Sequence, residues 1–279
     1  MDTPSVGAAT AAEVQLPGTE VRPREAAPLH EILRDITRGG LAGLVVGILL
    51  AGVGGRVVMR LAAAIVPGSA GGVTENGNVI GAVTMGGTLG IVLGIGLLFG
   101  AVAGSIWVTV GPWLPAARTT RAVVAVPVGI GLGVPILVHA GNPDFAILAH
   151  NPVVIGSLVV LVALFGPALV TAERWLDARL PHPDRGATPV IAAYVVVTVL
   201  GSLLTFLLIL PMYLGSSLAI AGLALIGVGV ATLAGWNLRM RGGSSPRWLR
   251  LLARACLGAA TVVGLAAATG EVMGAAGLA

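Results

Sequence analysis

Arg56 and Arg60 stand four residues apart inside an apolar run, so a helix there carries both guanidinium groups on one face. Two chemistries are open to such a pair. A carboxylate from Glu75, Asp144 or Glu271 would be gripped by the planar fork through two hydrogen bonds, pinning a loop to the helix. Alternatively, the two arginines face a pocket for an anion, because the same fork also matches phosphate. Other polar residues fall into a few short segments. They are Thr74-Glu75-Asn76-Gly77-Asn78, His139-Ala140-Gly141-Asn142-Pro143-Asp144-Phe145, and His150-Asn151-Pro152, with Glu271 near the end of the last apolar run. Arg56, Arg60, Glu75, Asn76, Asn78, His139, Asn142, Asp144, His150 and Glu271 are therefore the candidate ligand-binding residues.

Enzyme signatures are sparse. The glycine-rich stretches do not follow strands, so they are not nucleotide loops. The four histidines are scattered, without a paired-histidine zinc signature. Gly104-Ser105 and Gly156-Ser157 lack the frame of a nucleophile elbow. A hydrolytic or metal site from His139, Asp144 and His150 requires those side chains to meet beside a cleft. The expectation is no catalytic residue, no metal and no cofactor.

The elements that must position these residues follow from composition. The chain has 279 residues, 56% hydrophobic and 10% charged. Its mean hydropathy is +0.97. A soluble domain needs roughly a quarter of its residues charged, so a soluble enzyme and a disordered chain are both excluded. Sixteen basic residues, all Arg, are spread over several loops, and the net charge is +4. That pattern fits a membrane protein better than a nucleic-acid partner. The single cysteine, Cys256, permits no intrachain disulfide.

A bilayer core of about 30 Å takes about 20 apolar residues per helix. Seven runs qualify, at about 41–66, 85–111, 121–140, 152–172, 188–211, 217–237 and 249–272. Residues 1–28 read as a disordered cytoplasmic tail, and 29–40 as an amphipathic interfacial helix with Leu29, Ile32, Leu33 and Ile36 on one face, which anchors and extends the first span or, less simply, docks a partner. Arginines alternate between the connections: Arg34 and Arg38, then Arg118 and Arg121, then Arg174, Arg179 and Arg185, then Arg239, Arg241, Arg247 and Arg250 mark one side. The positive-inside rule puts the N-terminus in the cytoplasm and the C-terminus outside. Trp113, Trp175, Trp236 and Trp248 fall at the cytoplasmic interface. Arg56 then lies 15 residues beyond Leu41, about 22 Å along the axis and in the outer part of the hydrocarbon. An arginine costs on the order of 2.5–3.5 kcal/mol at mid-membrane and less near the interface, so something should compensate it.

Small residues recur at every fourth position. Gly43, Gly47, Ala51 and Gly55 do so in the first run; Gly86, Gly90 and Gly94, and again Gly96, Gly100 and Gly104, do so in the second. Such stripes allow close helix approach, either inside the bundle or between copies in a homo-oligomer. Pro127, Pro135 and Pro167 should kink their helices.

At Gly54-Gly55-Arg56-Val57-Val58-Met59-Arg60, Thr74-Glu75-Asn76-Gly77 and Asn142-Pro143-Asp144-Phe145, the chain resembles multi-pass membrane proteins of actinobacteria and related bacteria that have no assigned activity. The likeness covers roughly residues 38–185. It implies a bacterial plasma (inner) membrane and nothing about substrate.

The expected architecture is an all-α polytopic bundle of about seven spans, residues 41–279, with the lipid bilayer as its partner. The leading functional expectation is a non-enzymatic protein that binds, or helps move, an anionic lipid or polyprenyl-phosphate at its outer face. The alternatives are a structural or assembly protein working through its glycine faces, and an enzyme of the outer leaflet.

Overall fold

The computed structural model describes residues 29–75, 77–82, 84–181, 188–214 and 219–278. The tail 1–28, Asn76 and Arg185 lie outside the described residues. The helices, in chain order, are α1 (Leu29–Ile65), α2 (Met85–Trp113), α3 (Arg118–Leu137), the short α4 (Asp144–Ile147), α5 (Pro152–Asp177), α6 (Thr188–Leu214), α7 (Ala219–Met240) and α8 (Arg247–Ala275). Six of them, α1, α2, α3, α5, α7 and α8, are long and apolar enough to cross a membrane. The chain is an all-helical, multi-pass membrane protein. Among the described residues, the nearest thing to a strand is an antiparallel bridge between Val73 and Val79.

Helices overrun the apolar runs because their charged ends find partners inside the bundle. Leu29–Val46 continues without a break into the first span, so residues 29–40 extend that helix. Its Arg34 is only 7% exposed and turns inward. Arg34 reaches Asp177 at 2.9 Å, and Arg38 reaches Asp177 at 2.8 Å, Glu173 at 3.2 Å and Asp35 at 3.3 Å. Arg121 joins Glu173 at 3.2 Å, and Arg239 joins Asp35 at 3.4 Å. This network ties α1, α3, α5 and α7 together at one end, the arginine-rich end. Trp113 also departs from the expected interfacial belt. It is buried, and its Nε1–H donates to Thr232 Oγ1 at 2.8 Å; Trp175 and Trp248 stay exposed.

The three expected small-residue stripes have different fates. A Cβ on Gly43 or Gly47 would run into the backbone of Gly104 and Gly100, and one on Gly100 would stand 2.8 Å from Gly43 O. So α1 and α2 touch backbone to backbone along Gly43, Gly47, Gly96, Gly100 and Gly104. A Cβ at Gly55, Gly86, Gly90 or Gly94, by contrast, meets nothing within 4 Å among the described residues. The reason is rotational: a helix face committed to one neighbour leaves an adjacent face turned outward.

Above the seam the two helices change winding together. Gly47–Gly54 and Gly90–Ile95 are π-helical and pack against each other. Segments of this kind occur frequently at functional sites. Here they immediately precede Arg56 and follow Thr88. On the other side of the molecule α3 packs on α5 and α8, and α8 on α7. Glycine serves there too: a Cβ on Gly131 would lie 2.8 Å from Thr261 O. Pro127, Pro135 and Pro167 sit inside continuous helices.

Candidate functional site

The connection between α1 and α2 is a small hairpin folded back on the bundle. Gly71 N–H donates to Ile80 O, Ile80 N–H to Gly72 O, and Thr74 N–H to Asn78 O, with Gly77 at φ +72° in the turn. Only a residue without Cβ adopts that φ at no steric cost. Ile80 is buried, and Ser69 Oγ–H caps the end of α1 by bonding Val66 O at 2.9 Å. The hairpin returns through Gly81 and Ala82 to Thr84, whose hydroxyl accepts Gly87 N–H at 3.1 Å and so starts α2.

Between the top of α1 and the start of α2 lies a cavity of about 90 Å³, lined by Arg56, Met59, Arg60, Gly81, Ala82 and Thr88. Arg56 is half-buried and Arg60 exposed. The Arg56 guanidinium lies against Gly87, where a Cβ would stand 2.6 Å from Nη2. Asn78 Oδ1 approaches the same spot, 3.5 Å from that Cβ position. The hydrogen-bonding contact of Arg56 is a weak one, Nη1 to Met59 Sδ at 3.9 Å. Among the described residues, Arg56 Nε and Thr88 Oγ1 are both buried without a hydrogen-bond partner. A buried polar group left unmatched costs about 1–3 kcal/mol, and more when charged. Two such groups border one cavity.

The expected carboxylate partners are used elsewhere. Asp144 Oδ1 accepts Glu75 N–H at 2.7 Å, joining the hairpin to the 138–151 connection. Asn142 Oδ1 accepts Asp144 N–H at 2.8 Å. Glu271 Oε2 accepts Ala140 N–H at 2.7 Å and contacts His139 Nδ1 at 3.2 Å. His150 Nδ1–H donates to Ala275 O at 2.7 Å. That bond helps to hold Ala149 and His150 at φ 51° and 52°, a conformation non-glycine residues seldom take. Among the described residues, neither Arg56 nor Arg60 forms an ion pair. Of the ten candidates, the structure brings Arg56, Arg60 and Asn78 together; Glu75, His139, Asn142, Asp144, His150 and Glu271 staple loops to helix ends.

Among the described residues, no hydrogen bond or ion pair links His139, Asp144 and His150 to one another, and no cluster has the donors for a metal ion. Thr88, Met59 and Gly87 were missed from the sequence. Thr88 sits in an apolar run as an ordinary helical threonine, and only the fold reveals that its hydroxyl is stranded. No protein-family model, curated protein or solved structure matches the chain.

Proposed function

We propose that the Arg56–Arg60 cavity binds the phosphate of an anionic lipid-like ligand, a phospholipid or polyprenyl-phosphate. The observation that carries this is the pair of guanidinium groups that have no acidic partner among the described residues, beside a cavity bordered by two unmatched buried polar atoms. The cavity far exceeds the about 10–15 Å³ that one water needs, so a tetrahedral anion fits. The accompanying topology is seven spans, counting α6, in a bacterial plasma membrane, with the N-terminus in the cytoplasm and the C-terminus outside. The span count and orientation rest on the apolar runs and the alternation of arginines between the connections, which put the cavity at the outer leaflet; the bacterial membrane rests on the resemblance alone. The test is calorimetric titration of a short-chain phosphatidic acid into the detergent-solubilised protein. Saturable binding that disappears in Arg56→Ala/Arg60→Ala, at unchanged melting temperature, is expected. Equal binding by both proteins would refute the reading.

A second reading has one specific observation behind it. Gly86, Gly90 and Gly94 form an exposed stripe facing open space, beside exposed Met85, Leu89 and Leu93. Assembly of copies through this stripe predicts a dimer in lipid nanodiscs that Gly90→Leu disperses. A monomeric wild type would dismiss it.

A further inference from the structure

Although α2 and α3 are consecutive helices, they do not pack closely on each other. The first is held by α1 and α6, the second by α5 and α8. The gap is a cavity of about 100 Å³ with an almost wholly apolar lining, partly open, between α2, α3 and α5. On α3 its lining runs from Ala125 to Leu137, twelve residues or about 18 Å along the helix. That is close to the depth of one leaflet, half of the about 30 Å hydrocarbon core. Phe99 and Phe165 line its flanks, Ala103 leaves its width open, and Trp107 lines it toward the arginine-rich end. Apolar cavities of this size stay dry and accept apolar guests.

The chemistry around that end selects the guest. Trp107 is fixed there: its Nε1–H donates to Glu173 Oε2 at 3.2 Å, and the Arg121 guanidinium stands 5.0 Å from its ring centroid. One turn before Arg121, at the start of α3, Arg118 is exposed and forms no ion pair among the described residues. From Arg118 to Ala125 is seven residues, about 10 Å, the room a glycerol backbone needs between headgroup and chain. We infer that this slot holds one acyl chain of a bilayer phospholipid whose anionic headgroup rests at Arg118. The headgroup position at Arg118 lies at the opposite end of the bundle from the Arg56 cavity, and the inference does not depend on that cavity's role.

The test uses Trp107 as the reporter. In a background with Trp113→Phe, Trp175→Phe, Trp236→Phe and Trp248→Phe, which leaves Trp107 as the one indole, the protein is placed in phosphatidylcholine vesicles containing increasing fractions of phosphatidylglycerol brominated on its acyl chains. Bromine quenches indole emission on contact. The expected result is quenching that saturates at a low fraction of brominated lipid and is abolished by Ala103→Phe or by Leu132→Phe, which fill the slot from α2 and from α3. Arg118→Ala should raise the half-saturating fraction about fivefold, the factor carried by the about 1 kcal/mol of one arginine near an anionic surface. Arg56→Ala/Arg60→Ala should leave the curve unchanged, so loss of the phosphate site and loss of this one are read separately. Quenching that rises linearly without saturation in the unfilled protein would overturn the inference. So would saturation that survives both filling variants.

Discussion

Replacing Gly100 by Ala places a methyl group 2.8 Å from Gly43 O and 2.9 Å from Leu44 Cα. Carbon contacts are comfortable at about 3.5–4.0 Å, so α1 and α2 must part locally by nearly an ångström. The obstructing atoms are backbone and cannot rotate away. Overpacking of this kind costs about 1–3 kcal/mol, against which alanine's better helix propensity returns at most about 1 kcal/mol. The net expectation is a loss of about 1–2 kcal/mol. Gly90→Ala makes the same chemical change at the same four-residue spacing, but its Cβ meets nothing within 4 Å. It should be neutral or slightly stabilising. Reversible unfolding in mixed detergent and SDS micelles measures both. Because Gly47 and Gly100 face each other, the double variant Gly47→Ala/Gly100→Ala should depart from additivity. Equal shifts for Gly100→Ala and Gly90→Ala would refute the claim that only one of the two glycine stripes of α2 faces the seam.

Arg38→Ala removes a cation shared by Asp35, Glu173 and Asp177, and should cost about 2–3 kcal/mol in the same unfolding assay; this is less than a fully buried pair because Asp177 is half exposed. Thr232→Ala leaves the buried Trp113 N–H without its acceptor, and thermal melting should register a loss of about 1–3 kcal/mol. Glu271→Ala frees the Ala140 N–H, so hydrogen exchange at that amide should accelerate about tenfold, while amides in the α1–α2 seam keep wild-type rates.

The helices were largely legible because apolar runs of span length have few alternatives in a chain this poor in charge. Their ends were less so. In sequence Arg34 and Arg38 look solvated, whereas Asp177, over a hundred residues away, binds both. The glycines show the same limit. Spacing identifies Gly43–Gly47, Gly86–Gly94 and Gly96–Gly104 as smooth faces but says nothing of which face meets a partner. At the candidate site, the arginine pair was visible from its position in the first apolar run. The fate of its expected acids was not, because Asp144 and Glu271 are drawn to backbone amides of Glu75 and Ala140 that the turns bring close. Thr88 carried no signal, since a hydroxyl in a helix normally returns to its own backbone; Thr109, Thr261 and Thr269 do so.

The most direct test of the phosphate-binding account is native mass spectrometry of the protein released gently from its own membrane, wild type beside Arg56→Ala/Arg60→Ala. The account predicts a phosphate-bearing lipid or metabolite on the wild type that the double variant lacks, with both proteins equally folded. The same bound species on both, or bare protein in both, would contradict it and leave Arg56 and Arg60 without a ligand.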